Sequence, residues 1–274
     1  MEKNNEAPLG KGSHSSVFKR SDPQGPVAVK CINTLPHEVK FKEHVDQLCK
    51  EYSCLVVLAH SNIISVFPST PEDGQFSMEL FDIDLKEFLL HQHPTSAERL
   101  SYLEQICLGL EHVHKSGFVH LDVKPENILL KQGRAVLTDF GFVSARTPDA
   151  EIAGSLYIGQ DSIGTPYFMG PERFLHPRLL HPASDVWSLA LTAYILLGRK
   201  QPWAHIKRLS SFQRELLNDT LIPQLKQPLH CSDALWKALK NCWIKDFKER
   251  VDVSYLLKTL AAPVDTQIPE SIKE

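Results

Sequence analysis

The sequence predicts an α+β fold that is long enough for one large domain or for two lobes around a cleft. The chain has 274 residues, of which 42% are hydrophobic and 23% are charged, an ordinary balance for a globular protein with a sizeable core. Short strand-like segments occupy the N-terminal part, whereas longer segments with helical periodicity dominate the remainder. Polar residues that directly follow short apolar strands in the middle of the chain indicate a shared cleft.

Two polar segments in the middle of the chain carry the chemistry that we expect in this cleft. They span residues 120–127 and 138–141, and both have strongly apolar flanks. Asp122 has a carboxylate that can accept the proton of an attacking hydroxyl. Lys124 has an ammonium group that can neutralise charge on a moving phosphate. The first segment therefore contains residue types that phosphoryl transfer requires.

A resemblance to a known family rests on these segments. Asn127 and Asp139 offer oxygen ligands of the kind that magnesium prefers. Residues 120–127 read His-Leu-Asp-Val-Lys-Pro-Glu-Asn, and residues 139–141 read Asp-Phe-Gly. They closely resemble the protein kinases, whose catalytic loop reads His-Arg-Asp-x-Lys-x-x-Asn and whose metal loop reads Asp-Phe-Gly. The resemblance implies a bilobal protein-kinase fold, with a small β-rich N-lobe over residues 1–81 and a larger helical C-lobe over residues 82–274, together one kinase domain.

A glycine turn near the N terminus predicts contacts with a polyphosphate. Residues 9–18 read as a strand, a turn and a second strand, and glycines there let backbone amides approach phosphates. Alone, this pattern would also suit an ordinary hairpin. The resemblance implies nucleotide contacts from Leu9, Gly10, Gly12, Ser13, Ser15 and Val17. Ser15 replaces the third glycine of the family, and Pro8 predicts an abbreviated first strand.

The apolar strand after this turn ends at Lys30. A solvated lysine would be the simple interpretation, but the resemblance implies a lysine that binds the α- and β-phosphates and pairs with a glutamate. Residues 40–58 have helical periodicity. Glu51 lies nine residues before His60, which is the spacing found in the family. Two alternatives come earlier in the chain, Glu38 and Glu43.

The segment over residues 78–85 resembles the hinge between kinase lobes. Residues 64–67 and 76–80 read as strands joined by a turn-rich Pro-Glu-Asp-Gly segment. The resemblance implies Met78 at the back of the nucleotide pocket, the Glu79 carbonyl and the Phe81 backbone at the adenine, and Asp84 at the ribose. Two further apolar residues are expected to line the pocket, Ala28 and Leu129.

The C-terminal part is predicted to be helical. Thr95 to Glu98 form a capping box that begins a long helix, and Gly117 is placed to end it. Further helices are predicted over 184–198, 232–242 and roughly 252–260. The resemblance also implies three scaffold residues: Glu172 pairs with Arg250, and Asp185 holds the catalytic-loop backbone.

Composition gives no argument for several other classes of protein. The net charge of −3 does not indicate nucleic acid or an anionic membrane as a partner. The longest apolar run, residues 189–197, is too short to span a bilayer, and residues 1–6 show no signal-peptide pattern. Six cysteines without a Cys-x-x-Cys pair indicate buried free thiols. We therefore expect no membrane insertion and a cytoplasmic or nuclear location.

The leading interpretation is a Ser/Thr protein kinase that uses ATP and Mg²⁺ to phosphorylate Ser or Thr hydroxyls of a protein substrate. Lys124 and Thr165 match the Ser/Thr branch of the family. A pseudokinase scaffold is the alternative, favoured by three departures from the family pattern: Ser15, Leu121 and Gly170. A small-molecule phosphotransferase of related fold is a third class, but it would not be expected to carry the Gly-Pro-Glu substrate loop. This loop, residues 164–172, resembles the family's substrate-positioning loop and closes with Gly170-Pro171-Glu172 where the family has Ala-Pro-Glu. The motifs assign no subfamily, substrate, activator or oligomeric state.

Leu121 predicts how activity is controlled. In most regulated kinases the residue before the catalytic aspartate is arginine, whose buried charge requires a phosphate on the activation segment. Leucine cannot make that bond. We therefore expect activity without activation-segment phosphorylation, although the segment offers Ser144, Thr147, Ser155, Tyr157 and Ser162.

Overall fold

The structure is a computed structural model and describes residues 7–12, 14–145, 164–175 and 181–262. Its N-terminal part is an antiparallel sheet of four strands in sequence order: β1 (Gly10–Lys11), β2 (Ser15–Asp22), β3 (Gly25–Ile32) and β4 (Gln75–Glu79). β1 has only two residues, so the prediction of an abbreviated first strand is confirmed. The hydrogen bond from the Gly12 amide to the Ser15 carbonyl, 2.8 Å long, closes the turn between β1 and β2.

One helix, α1 (Phe41–Val57), contacts this sheet through β3. Its apolar residues recur with helical spacing, so that Val45, Leu48 and Leu55 lie buried on one side. Glu51 is buried on the same side. The predicted helix over residues 40–58 is therefore confirmed, together with the face that presents the glutamate.

The prediction of a strand over residues 64–67 is wrong, because this segment changes partner halfway along. Ile64 bonds back to the C-terminal part, with its amide 2.9 Å from the Leu137 carbonyl. Two residues on, Val66 forms only an isolated bridge to Met78. Pro68 then follows and has no amide to extend a ladder. The turn that comes next contains a 3₁₀ helix at Pro71–Asp73.

The C-terminal part is mostly helical, with small sheets beside the cleft. A three-stranded sheet has the order β5, β7, β8, and a two-stranded sheet pairs β6 with β9. The strands are β5 (Ile83–Asp84), β6 (Phe118–Val119), β7 (Ile128–Lys131), β8 (Arg134–Leu137) and β9 (Ser144–Ala145). The helices are α2 (Leu85–His91), α3 (Ser96–Lys115), α4 (Pro171–Leu175), α5 (Pro182–Gly198), α6 (Leu209–Leu217), α7 (Asp233–Cys242) and α8 (Val253–Ala261).

Capping residues mark the helix boundaries that local sequence predicts. Thr95 and Glu98 form the expected capping box at the start of α3, and Gly117 has a φ of 84° just after its end. Ser232 and Asp252 cap α7 and α8. α5 begins at Pro182, two residues earlier than predicted. The short helices α2, α4 and α6 were not predicted.

α5 lies at the centre of the C-terminal core. All of its residues from Ala183 to Leu197 are buried, and α3 and α7 pack against it. Of the six free cysteines, three are buried and three are half-buried, so the prediction of buried thiols is wrong for Cys31, Cys49 and Cys54.

The molecule thus has the predicted α+β architecture, a β-sheet N-terminal region followed by a helical C-terminal region. The boundary between residues 81 and 82 remains a prediction. Among the helices that the structure describes, none is both long and apolar enough to cross a lipid bilayer.

Candidate active site

A cleft of about 610 Å³ is lined by residues from both regions. The predicted residues that line it are Leu9, Gly10, Gly12, Ser15, Val17, Ala28, Lys30, Glu51, Met78, Glu79, Phe81, Asp84, Lys124, Asn127, Leu129 and Asp139. Ser13 lies outside the described residues. Sequence reasoning missed apolar lining residues that no motif marks, among them Leu55 and Ile64. The lining of the cleft therefore combines apolar side chains with charged ones.

Lys30 lies at the centre of a buried charge cluster. Its Nζ is 2.7 and 2.8 Å from the two Glu51 carboxylate oxygens and 2.9 Å from Asp139 Oδ1. Burial by itself would lower the pKa of Lys30, but Asp139 and Glu51 together raise it above its ordinary value. Lys30 therefore stays an ammonium group. The predicted Lys30–Glu51 pair is confirmed, whereas the contact with Asp139 was not predicted.

Asp139 is positioned to keep its charge. The Lys30 ammonium holds the pKa of Asp139 below its ordinary value, and its side chain is still 42% exposed. Its backbone has a φ of 60°, a left-handed conformation that costs energy for a residue other than glycine and that often occurs at functional sites. The result is a reachable carboxylate at the edge of the cleft.

Asp122 is the acceptor of a dense hydrogen-bond network. Thr165 Oγ1 donates to Asp122 Oδ1 over 2.7 Å, and Lys124 Nζ donates to Oδ2 over 2.7 Å. Lys124 Nζ also lies 2.6 Å from Thr165 Oγ1. Asn127 Nδ2 donates to the Asp122 carbonyl and to Oδ2, both over 2.8 Å. The network joins the catalytic segment to the substrate loop, and the role of Thr165 in it was not predicted.

Asn127 and Asp139 fit a magnesium ion by the chemistry of their free atoms. Because Asn127 uses its Nδ2 on Asp122, its amide oxygen is the atom left for a cation. Lys30 bonds only one oxygen of Asp139. A neutral amide oxygen and a charged carboxylate oxygen are ligands that Mg²⁺ accepts.

Asp185 fixes the backbone of the catalytic segment, as predicted. This fully buried carboxylate accepts hydrogen bonds from the backbone amides of His120 and Leu121, over 2.8 and 2.7 Å. The ring of His114 lies 2.8 Å from the same carboxylate, a contact that was not predicted. On the other side, the His120 ring packs edge-on against Phe140 with centroids 4.7 Å apart. Asp185 therefore holds the segment over residues 120–127 directly, and the segment over residues 138–141 packs against it through Phe140.

Leu121 is an apolar residue in a strained backbone position. It is buried and has a φ of 68°. Gly164 packs against its carbonyl so closely that a Cβ on Gly164 would lie 2.5 Å from the Leu121 oxygen. Gly164 also has a φ of 97°, so glycine is required there for two reasons.

The predicted Glu172–Arg250 pair is confirmed and buried. Two nitrogens of the guanidinium lie 2.9 Å from the two carboxylate oxygens, and the guanidinium also stacks over Trp187. A Cβ on Gly170 would lie 2.5 Å from the Glu172 carboxylate. This close approach explains why glycine suits a position at which the family has alanine.

The loop after α1 is attached to the C-terminal part by contacts that were not predicted. Asn62 Nδ2 donates to the Ala135 carbonyl over 3.0 Å, and a Cβ on Gly109 would lie 2.6 Å from the Asn62 carbonyl oxygen. The rings of His60 and His112 stack at 4.8 Å. The only sequence signal for this close approach is a glycine, Gly109, inside α3. Glycine is unfavourable within a helix, but its presence alone does not indicate which residue packs against it.

Comparison with known proteins identifies the family to which this fold and this cleft belong. Residues 4–260 match the family model described as protein kinase domain, and the chain belongs to this family.

Individual relatives are similar at the level of the domain. The chain is 28% identical to "Mitogen-activated protein kinase kinase kinase A" of Dictyostelium discoideum, with 91% of this chain and 26% of that protein covered. It is 30% identical to "Serine/threonine-protein kinase PkaB" of Streptomyces coelicolor, with 96% and 65% covered. It is 27% identical to "Serine/threonine-protein kinase STE20" of Candida glabrata, with 96% and 27% covered. The chain thus spans less than two thirds of each of these relatives.

Proposed function

We propose that this chain is an active Ser/Thr protein kinase that transfers the γ-phosphoryl group of ATP to a protein hydroxyl with the help of Mg²⁺. The observation that carries the proposal is the network around Asp122, in which Lys124, Asn127 and Thr165 all bond its carboxylate. The names of the relatives, which include Ser/Thr kinases, favour the same acceptor class.

The reaction follows from what these residues can hold and accept. The oxygen of the acceptor hydroxyl forms a bond to the γ-phosphorus while Asp122 accepts the hydroxyl proton. At the same time the bond from that phosphorus to the β–γ bridging oxygen breaks, and ADP leaves with this oxygen. Lys124 lies beside Asp122 and neutralises charge on the transferred group. Bound magnesium, held by Asn127 and Asp139, would supply further positive charge at the phosphates.

Lys30 completes the binding of the nucleotide. Since Glu51 and Asp139 hold its ammonium group in place, it can bond the α- and β-phosphates without first being ordered. Such preorganised charge is the main source of catalysis when phosphate moves between oxygens. The glycine turn, with Gly10 and Gly12 at the cleft, would cover these phosphates with backbone amides.

The test is a phosphorylation assay on the purified chain with ATP and Mg²⁺, followed by identification of the modified residues. Asp122→Asn should keep ATP affinity while transfer falls by roughly 10²–10⁴, the usual contribution of a positioned base. The parent should modify Ser or Thr. A parent that binds ATP and transfers nothing would instead support the pseudokinase, and a variant with near-normal turnover would remove Asp122 from the role of base.

We further propose that activity does not require phosphorylation of the activation segment. Leu121 places an apolar side chain, 6% exposed, where a charge would otherwise need neutralising. Arg173, a basic residue that could take over the role of the missing arginine, is 5% exposed and faces the negative charges of Asp185 and Glu172. Arg146, the other candidate, lies outside the described residues.

Phosphatase-treated protein with the segment's hydroxyls replaced tests this second proposal. The positions are Ser144, Thr147, Ser155, Tyr157 and Ser162, of which the last four lie outside the described residues. We expect this variant to retain most of its activity towards an exogenous substrate. A loss of tenfold or more, restored in the parent by phosphorylation of any one of them, would overturn it.

A further inference from the structure

The β7–β8 hairpin places two cations beside the hinge, defined here as residues 79–82. Gln132 and Gly133 join the strands with φ values of 50° and 78°. A two-residue turn with both φ angles positive matches the twist of a hairpin. The turn brings Lys131 and Arg134 directly opposite each other in the strand register.

Arg134 contacts the hinge and the loop after α1 at three points. Its NH1 nitrogen lies 2.8 and 2.9 Å from the two carboxylate oxygens of Glu79. Its Nε donates to the Ser61 carbonyl over 2.9 Å. Its guanidinium carbon lies 5.3 Å from the centre of the Phe81 ring. An ordinary exposed ion pair contributes little, but a guanidinium held at three points has one defined position.

The remaining hinge residues are also bound to this hairpin. Lys131 Nζ donates to the Leu80 carbonyl over 2.9 Å, and the Asp82 amide donates to the Leu130 carbonyl over 3.2 Å. Each hinge residue therefore has a contact with the hairpin through its side chain or its backbone. The Leu80 carbonyl, being bonded to Lys131, is engaged away from any nucleotide.

We propose that Arg134 is a positioning residue for adenine recognition, with Lys131 in support. By holding the Glu79 side chain and the Phe81 ring, Arg134 would fix the direction of the Glu79 carbonyl at the cleft. A carbonyl held in this way accepts a hydrogen bond from the 6-amino group of adenine, and it repels the 6-oxo group of hypoxanthine. Arg134 therefore contributes to the choice of nucleotide without touching it. This inference rests on the proposed binding of ATP at the hinge.

The experiment compares ATP with inosine triphosphate, in which a 6-oxo group and an N1–H replace the 6-amino group and the bare N1 of adenine. Calorimetry with Mg²⁺ gives both dissociation constants for the parent and for Arg134→Ala. We expect the variant to bind ATP about tenfold more weakly and inosine triphosphate less than about threefold more weakly, because only the first loses an oriented hydrogen bond. Turnover at saturating ATP should change less than about threefold, since bound ATP still reaches the same reacting groups.

Two further substitutions distinguish a positioning role of Arg134 from a general loss of local structure at the hinge. Arg134→Lys keeps the charge but cannot make the three contacts together, so the preference for ATP should lie between those of the parent and Arg134→Ala. Glu79→Gln should lower the preference similarly, and its combination with Arg134→Ala should be little worse than either change alone. The matched control is Lys115→Ala, which removes an exposed ion pair with Glu111 and should leave both constants unchanged.

The outcomes distinguish this inference from the function on which it rests. Equal weakening of both nucleotides, or an unchanged preference in folded Arg134→Ala, would overturn the positioning role. If Arg134→Ala does not fold, Arg134→Lys and Glu79→Gln decide the question by the same ratio. A parent chain that binds no ATP would overturn the proposed function and this inference together, and that result appears before any variant is made.

Discussion

At the scale of one residue, Asp185 illustrates how a buried carboxylate can fix the backbone beside a candidate site. It is fully buried and bonds the amides of His120 and Leu121 as well as the ring of His114. Burial would raise the pKa of Asp185, but the hydrogen bonds from the His114 ring and from the backbone lower it below its ordinary value. The folded chain therefore holds a carboxylate ion where desolvation opposes one.

This pKa shift predicts how stability depends on pH. The carboxyl of an unfolded chain binds its proton near a pKa of about 3.9, whereas folded Asp185 binds it only at lower pH. Its contribution is therefore complete above about pH 4 and falls as the pH drops towards the folded pKa. Asp185→Asn should be less stable at pH 7, because two amide donors lose a charged acceptor, and should lose less stability on acidification.

Urea denaturation of parent and variant between about pH 3 and pH 7 measures this difference. The difference between the two proteins isolates Asp185 from the other carboxylates, which titrate in both. Parallel pH curves would contradict the assignment.

At the scale of elements, α1 is held at two places. Glu51 in its third turn bonds Lys30 of β3, and the loop that follows the helix is attached to α3 and β8 through Asn62. The helix is thereby fixed relative to the sheet and to the C-terminal region. Lys30 is thus bonded to a helix whose following loop is itself attached to the C-terminal region.

The pairing of α1 with β3 predicts strongly non-additive kinetics. Lys30→Met and Glu51→Gln should each lower kcat/KM by about 10²-fold or more, because either change misplaces the same ammonium group. The double variant should be little worse than the more damaging single one. Glu43→Gln, which changes an exposed glutamate on the same helix, is the matched control and should have no effect. Additive losses would mean that the two residues act separately.

At the scale of the whole molecule, Glu172 and Arg250 join the end of the substrate loop to the segment before α8. Arg250 also donates to the Ala183 carbonyl at the start of α5. The side chains of both partners are almost completely inaccessible, at 3% and 0%. Three distant parts of the chain therefore depend on one guanidinium.

Arg250→Met should destabilise the fold by about 3–5 kcal/mol, because it leaves the Glu172 charge buried without its partner. Guanidinium denaturation gives the change in free energy of unfolding. The control is Lys86→Ala, which breaks a largely exposed ion pair with Glu126 and should cost less than about 1 kcal/mol. Similar losses of unfolding free energy in the two variants would show that burial of the Glu172–Arg250 pair contributes little to stability.

Local sequence determined the features that depend on near neighbours along the chain. The capping box at Thr95 begins α3, and the periodicity of residues 40–58 places Glu51 on the buried face of α1. Asp122, Lys124 and Asn127 lie within six residues, so one short loop brings them together whatever surrounds it. Their proximity could therefore be predicted from the sequence alone.

Tertiary structure decided the contacts between residues far apart in the chain. Thr165 reaches Asp122 and Arg134 reaches Glu79 across separations of 43 and 55 residues, and neither has a local pattern that announces its partner. The wrong prediction of a strand over residues 64–67 has the same origin, since Ile64 bonds to β8 whereas Val66 forms a bridge to β4. The physical reason is that caps and periodicity depend on short-range sterics and hydrogen bonds, whereas a long-range contact forms only where the packing of whole elements brings two side chains together.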